Sequence, residues 1–338
     1  MQSVRMGEKL VFTGLAGMLL LALIVAGLSF EQSRRWQDRQ RYPQVGQSVD
    51  IGGRTLNLYC SGEGRPTIVF DTFSHQAGLS WIAVQAQAAK FARACWYDRA
   101  GYGWSDPGPL PRTFKAVATD LHALLKAAHL PPPYVLVGSH DAASNIRVYN
   151  GLYSSEVAGI VLIDGNDIDV YAHRIDAPDF IKGPVEKHFG SLAPYMRESG
   201  CVVLPAVRRV GGLLPKIGRY RPTPAYGFPP ERQAELDFLS DRAYGEACDM
   251  QQNEADLRAA GNFGDRPLIV LASRQQQTAW LQNAKAVEEW NQWWLQRAQP
   301  PLARLSTRGR LVIVDNRVGL ESIVEAVRDV VTQIRTEH

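Results

Sequence analysis

Short apolar runs alternate with helical stretches along most of this chain, and this alternation restricts the fold more than any other feature. Most of the runs are continuously apolar, which is typical of strands buried on both faces of a parallel sheet. The runs are residues 54–60, 67–71, 94–98, 134–138, 159–164, 267–272 and 310–315. The helical stretches are residues 80–92, 113–129, 144–154, 278–298 and 321–335. The pattern predicts an α/β fold with a mostly parallel central sheet flanked by helices.

An apolar stretch near the N-terminus is of a different kind. Residues 10–30 carry no charge, and a helix of this length reaches roughly 30 Å, enough to cross a bilayer. No A-x-A cleavage site follows, and the stretch exceeds the apolar part of a usual signal peptide, so an uncleaved transmembrane helix is predicted. The flanking basic residues are Arg5 and Lys9 before the span and Arg34, Arg35, Arg39 and Arg41 after it. Their small imbalance favours a cytoplasmic domain by the positive-inside rule and leaves the orientation open.

The interval 165–262 interrupts the alternation. It contains a proline-rich loop, RPTPAYGFPP, followed by a charged helical stretch from 231 to 260. We predict a mainly helical cap inserted between two strands, since 338 residues suffice for one large domain with an insertion. The predicted organisation is a tail (1–9), the transmembrane anchor (10–30), a linker (31–46), the first part of the core (47–164), the cap (165–262) and the second part of the core (263–338).

Charge and cysteine usage limit the partners. The formal net charge is +3, and no basic block interleaved with aromatic residues is present, so we expect no nucleic-acid partner. The cysteines have no metal-ligand spacing, and we expect neither a metal nor a cofactor. A bridge between Cys201 and Cys248 would require that this region lie outside the cytosol.

Four sequence segments together carry a family resemblance. They are CWYDRAGYGWSDPGP (95–109), VLVG (135–138), EVAGIVLID (156–164) and RLVIVD (310–315). In this order they resemble a bacterial, membrane-anchored branch of the α/β-hydrolase family, over residues 45–165 and 265–335. The resemblance implies a strand, a sharp turn and a helix that present a catalytic serine.

Counting without gaps from VLVG places His140 at the position of that serine. Ser139 then takes the place of a histidine in the family motif, and Ala142 and Ala143 take the places of two glycines. The small residues around the apex agree with a sharp turn, whose backbone is strained. The sequence thus predicts the turn without its nucleophile.

The other catalytic parts that the resemblance implies are also altered. Phe73 and Ser74 stand where a glycine is expected beside the oxyanion. The loop after the last strand, where the general base is expected, reads Asn-Arg-Val-Gly from 316 to 319, and the later His338 follows a helix of roughly 22 Å. Asp164 is the candidate acid, with Asp167 and Asp169 just beyond it.

These observations predict a pseudoenzyme that binds a small apolar ligand or a protein partner through its cleft or cap. The alternative is an ester-type hydrolase or lyase centred on His140 and oriented by Asp164. Two further alternatives stay open: Asp141 at the apex as a nucleophile, and a metal held by His75, His140, Asp141 and Asp164, which lack ligand spacing. The predicted cleft-lining residues are Phe73, Ser74, His75, Ser139 and Asp141.

Two other features have structural interpretations. Trp280, Trp290, Trp293 and Trp294 lie on one predicted helix, partly at i, i+3 and i+4 spacing. Core packing is preferred over a ligand groove or a membrane contact for this stripe. Asp98 and Arg99 are expected to fix a loop near the cleft without touching substrate.

Overall fold

The computed structural model describes residues 40–73, 76–165, 226–240, 250–274 and 283–337, together with isolated positions between 14 and 37. By its internal contacts the chain divides into two units, Met1–Gln44 with Val202–Arg219 and Val45–Cys201 with Tyr220–His338. The second unit contains the sheet.

The first unit contains the predicted anchor, much of which lies outside the described residues. Those of its positions that are described are helical. Large apolar side chains among them are more than half exposed, namely Leu15, Met18, Leu19, Leu21 and Val25. In the described ranges, no helix combines the length and the apolar character of a membrane span.

The second unit is built on one eight-stranded sheet in the order β1-β2-β4-β3-β5-β6-β7-β8. β2 pairs antiparallel with both of its neighbours, β1 and β4, and all other neighbouring strands pair parallel. The strands are β1 Gln47–Asp50, β2 Thr55–Ser61, β3 Thr67–Asp71, β4 Ala94–Tyr97, β5 Tyr134–Ser139, β6 Val157–Ile163, β7 Leu268–Arg274 and β8 Gly309–Asp315. The predicted mostly parallel α/β architecture is confirmed, while β1, an exposed edge strand without an apolar run, was not predicted.

Helices connect most of the strands. They are α1 Ile82–Ala88, α2 Phe114–Ala127, α3 Ala142–Leu152, α4 Gln233–Ser240, α5 Met250–Ala260, α6 Ala284–Trp293, α7 Pro300–Ala303 and α8 Leu320–Thr336. A π-helical turn, Trp294–Ala298, continues α6. In the predicted cap, α4, α5 and a short 3₁₀ turn at Pro230–Arg232 are described, whereas residues 166–225 and 241–249 lie outside the described residues.

Both faces of the central strands are buried, which explains their continuous apolar runs. In β5, Val135 and Val137 join the hydrophobic core that also contains residues of α1 and α8. Leu136, between them, joins a second core with residues of α2 and α3. Successive side chains of a strand point to opposite faces, so a strand covered on both sides needs apolar residues at every position.

A disulfide links two neighbouring strands. Cys60 of β2 lies directly opposite Cys95 of β4 in the antiparallel register, and the two sulfur atoms are bonded. Sequence analysis considered only Cys201 and Cys248, which lie outside the described residues. The Cys60–Cys95 pair was missed because β2 and β4 become neighbours only through the strand order.

We expect the Cys60→Ala/Cys95→Ala double variant to lose about 3–4 kcal/mol of unfolding free energy, because the bond restricts the unfolded chain across 35 residues. Urea unfolding without reductant, followed by tryptophan fluorescence, measures the loss. Wild-type protein in reductant serves as the control and should unfold like the variant. Equal midpoints for variant and oxidised wild type would contradict the expectation.

Candidate functional site

The turn between β5 and α3 forms the centre of the candidate site. His140 has a φ of 51°, in the left-handed region, directly after the end of β5. Its N–H donates to the carbonyl of Ile163 at 3.0 Å, and its own carbonyl accepts from the Ala143 N–H at 3.2 Å. These bonds hold His140 at the apex in a conformation that costs of order 1–3 kcal/mol. Asp141 has helical dihedral angles, φ −69° and ψ −14°, so the alternative with Asp141 at the apex is wrong.

Small residues allow this turn to form. A Cβ atom added to Gly138 would lie 2.6 Å from Ile146 Cδ1 and 2.9 Å from the Cβ of Ala142. Both distances are shorter than real contacts between carbon atoms. The first turn of α3 therefore packs against β5 only because residue 138 has no side chain.

Backbone strain is concentrated around this turn. Five described residues other than glycine have positive φ, and four of them are His140 after β5, Asp164 (46°) after β6, Asn316 (82°) after β8 and Tyr226 (59°) within the predicted cap. Such strain persists where the surrounding structure enforces it, and it clusters at functional sites. Each of three parallel strands is thus followed by a strained residue, and a fourth strained residue lies in the predicted cap.

A buried ionic network fixes the turn to β3 and β4. Arg99 is 2% exposed and donates from Nε to Asp71 Oδ1 at 2.8 Å and from Nη2 to Asp71 Oδ2 at 3.2 Å. Its Nη1 donates to Asp141 Oδ2 at 3.3 Å. Asp71 also accepts from the Tyr97 hydroxyl at 2.9 Å and from Asn145 Nδ2 at 3.0 Å. The network agrees with the predicted structural role of Arg99, but sequence analysis overlooked Asp71 and Asn145.

Asp164, the candidate acid, has hydrogen-bond donors on both carboxylate oxygens. The backbone N–H of Ser273 donates to Oδ1 at 2.7 Å, and the Ser273 hydroxyl donates to Oδ2. The indole Nε1–H of Trp294 also donates to Oδ1, at 3.3 Å. No histidine in the described ranges bonds to Asp164. Its carboxylate therefore joins β6 to β7 and to the π-helical turn after α6.

The tryptophan stripe is mainly structural, as preferred. Trp293 and Trp294 are 8% and 5% exposed and form a small hydrophobic core with neighbours from the π-helical turn and β7. Trp290 stacks on Trp294, with ring centroids 5.3 Å apart. Trp280 lies outside the described residues. The indole of Trp294 serves both this core and Asp164.

The predicted cleft-lining residues occupy different environments. Phe73 and His140 are both half-buried, and their rings meet edge to face with centroids 5.0 Å apart. Ser139 is fully buried, with no exposed surface. Ser74 and His75 lie outside the described residues, and within the described ranges no cluster of ligands for a metal is found.

Tyr226 contacts Ser139 and packs on Trp81. Its ring stacks on Trp81, with centroids 4.7 Å apart, and it is 7% exposed. Burial raises the pKa of the Tyr226 phenol well above its usual value. Three smaller effects follow: the contact with Ser139 lowers this pKa, the charge of Asp164 raises it, and the charge of Arg317 lowers it. The hydroxyl therefore lies among residues that follow β5, β6 and β8. Sequence analysis missed Tyr226, because no motif marks it.

Comparisons with known proteins leave the activity open. No family model matches the chain. It is 25% identical to the uncharacterized Bacillus subtilis protein YbdG over 158 residues, which are 46% of this chain and 48% of YbdG. It is 32% identical to an uncharacterized vacuolar membrane protein of Saccharomyces cerevisiae over 104 residues, 30% of this chain and 16% of that protein. The chain thus matches less than half the length of these curated relatives.

Solved structures agree on the fold. The haloalkane dehalogenase DatA from Agrobacterium tumefaciens has a TM-score of 0.56 at 16% identity, covering 86% of this chain and 97% of that one. A thermophilic esterase from Thermogutta terrifontis has a TM-score of 0.51 at 17% identity, covering 86% and 99%. Mouse α/β hydrolase domain-containing protein 10 has a TM-score of 0.51 at 11% identity, covering 86% and 100%. The chain has the α/β-hydrolase fold.

We expect Arg99→Met to destabilise the protein by about 3–5 kcal/mol, because it leaves the Asp71 carboxylate buried without its cation. The matched control is Arg258→Met, whose side chain is 75% exposed and pairs with Glu254 at 3.7 Å, and which should cost less than about 1 kcal/mol. Chemical unfolding of both variants measures the difference. Equal losses would show that the network does not stabilise the turn.

Proposed function

We propose that this protein is a membrane-anchored pseudoenzyme of the α/β-hydrolase fold, which binds a small apolar ligand in its cleft and does not hydrolyse esters. The observation that carries the proposal is the state of Asp164. A catalytic acid of this kind orients a histidine, yet here its oxygens accept from Ser273 and Trp294. The indole N–H takes a position on the carboxylate that a catalytic imidazole would need.

The apex residue supports the same conclusion. The imidazole of His140 contacts the ring of Phe73, and no hydrogen bond joins it to another residue of the described ranges. An imidazole without a partner has no group to orient it, accept its proton or return one. The hydrolase or lyase alternative rests on the half-buried position of this ring at the apex, and it requires a second titratable group within hydrogen-bond reach.

Retained strain supports a binding role for the cleft. A turn that no longer presents a nucleophile has no catalytic need for a left-handed residue, and yet His140, Asp164, Tyr226 and Asn316 all have positive φ. Strain of this kind is also found at ligand clamps. The half-buried Phe73 ring beside His140 offers an apolar contact for a ligand.

A panel of short-chain p-nitrophenyl esters tests the absence of catalysis. We expect the full-length wild type and its His140→Ala variant to give the same background rate, because no base in the described part of the chain pairs with the apex. Circular dichroism establishes that both are folded. Turnover by the wild type that disappears in His140→Ala would overturn the pseudoenzyme proposal and make His140 the catalytic centre.

Binding of a neutral apolar probe tests the cleft itself. We expect hexanamide to bind the full-length protein in nanodiscs, and His140→Trp to weaken this binding by about tenfold or more, because the larger ring fills the cleft. Leu152→Trp is the matched control, since Leu152 is 43% exposed at the far end of α3. Isothermal titration calorimetry, corrected with empty nanodiscs, measures the affinity. Equal affinities for the two variants would exclude binding at the cleft.

We further propose that residues 10–30 anchor the protein in a membrane, with the domain on the oxidising side. The exposed apolar residues in this segment, such as Leu19 and Leu21, support a lipid contact. The disulfide between Cys60 and Cys95 supports the side, because such bonds persist outside the reducing cytosol. The disulfide is stronger evidence for the orientation than the charge imbalance around the span, because the positive-inside rule predicts little when the imbalance is small.

The orientation is tested in a Cys201→Ser/Cys248→Ser background, where Cys60 and Cys95 are the remaining cysteines. Proteins from unbroken cells are denatured in acid and then treated with maleimide-polyethylene glycol. We expect no addition without reductant and two additions after reduction. Adding the Cys60→Ser substitution to this background should give one addition both with and without reductant. Two additions to the background protein without reductant would mean that Cys60 and Cys95 are free thiols, and would place the domain in the cytosol.

A further inference from the structure

We infer that Arg317 makes the cleft selective for ligands that carry a carboxylate. The inference deepens the proposed function and rests on it, because it requires a cleft that binds a small apolar ligand. It assigns a recognition role to the loop after β8, from which the enzymes that this chain resembles supply a catalytic base.

The fold brings Arg317 to the same edge of the sheet as His140 and Asp164. These residues follow β8, β5 and β6 respectively, and the three strands run parallel in one sheet. The carboxyl ends of such strands face one crevice, where ligands bind in open α/β folds. Arg317 is exposed, so its guanidinium is accessible at this edge.

The loop that carries Arg317 is held in place on both sides. Asn316 forms a bridge to Arg274 at the end of β7. Val318 is 2% exposed and belongs to the main hydrophobic core. The turn after Tyr226 also packs here, since a Cβ on Gly227 would lie 3.3 Å from Leu320. A cation on a loop fixed at both neighbours presents its charge from a defined position.

The charge of Arg317 acts on the Tyr226 phenol. Burial raises the pKa of this phenol, and the charge of Arg317 opposes the rise. The same phenol contacts Ser139, directly before the apex. The inference requires that the Arg317 guanidinium meet the polar end of a molecule that lies over His140. The apolar end of the same molecule would then contact Phe73.

Three carboxylates near this edge of the sheet have other partners. Asp141 accepts from Arg99, and Asp315 pairs with Arg274 at 3.4 Å. Asp164 accepts from Ser273 and Trp294. Within the described ranges, no carboxylate forms an ion pair with Arg317. Its planar fork of donors therefore suits a carboxylate brought by a ligand, which it can bind through two parallel hydrogen bonds.

Hexanoate and hexanamide test this inference, because they have the same chain length and nearly the same shape and differ in charge. With full-length protein in nanodiscs, we expect hexanoate to bind more tightly than hexanamide. Arg317→Gln should weaken hexanoate binding by about tenfold or more, the loss typical of a charge-assisted hydrogen bond, and leave hexanamide binding unchanged. Arg317→Lys should give an intermediate affinity, since it keeps the charge without the fork.

Arg304→Gln is the matched control. Arg304 is also exposed, but it precedes β8 and so lies at the opposite edge of the sheet. The Arg304→Gln variant should bind hexanoate as tightly as the wild type does. If Arg304→Gln and Arg317→Gln lost the same hexanoate affinity, the loss would come from the lower net charge of the protein, and the inference would be overturned.

The other outcomes separate this inference from the proposed function. If the wild type binds hexanamide at the cleft and hexanoate no better, carboxylate selectivity is wrong and the binding cleft stands. If neither compound binds, both the cleft proposal and the selectivity fail. Arg317→Gln is expected to keep the wild-type melting temperature, because the side chain is exposed, so a loss of binding cannot be attributed to unfolding.

Discussion

Arg99 holds together three segments that the chain keeps far apart. Its guanidinium pairs with Asp71 at the end of β3 and with Asp141 at the start of α3, and it is itself fixed by the loop after β4. A cation this deeply buried is tolerated only when carboxylates surround it and its donors are used. The position of α3 relative to the sheet, and with it the apex His140, depends on this pairing.

The same edge of the sheet combines an intact scaffold with altered chemistry. Gly138 still allows close packing of β5 against α3, and the backbone at His140 still has the strained conformation of a nucleophile-bearing turn. The side chains make other contacts: Asp164 joins neighbouring strands, and Tyr226 contacts Ser139 and stacks on Trp81. Because geometry and reactivity come from different atoms, the proposed loss of catalysis is compatible with a turn that keeps its shape.

Much of this arrangement was accessible from local sequence. The apolar runs located seven strands. For the central ones the reason is that a strand covered on both faces must be apolar throughout, whereas β8 is an edge strand without a buried residue. The Gly138 to Ala143 segment indicated the turn, because only small residues permit it. In contrast, β1 was missed, since an exposed edge strand needs no apolar run. The roles of Asp71, Asn145 and Trp294 were missed as well, because each depends on a partner at least 28 positions away.

The sequence by itself determined the α/β class, the sharp turn with His140 at its apex, and the absence of a histidine in the loop after the last strand. These are properties of neighbouring residues, set by hydrophobic pattern, by backbone sterics and by residue identity. Only the tertiary structure decided that Cys60 meets Cys95, that Trp294 donates to Asp164, and that Arg99 bridges Asp71 and Asp141. These contacts join residues far apart in the chain, and they exist only once the strand order and the crossovers bring them within bonding distance.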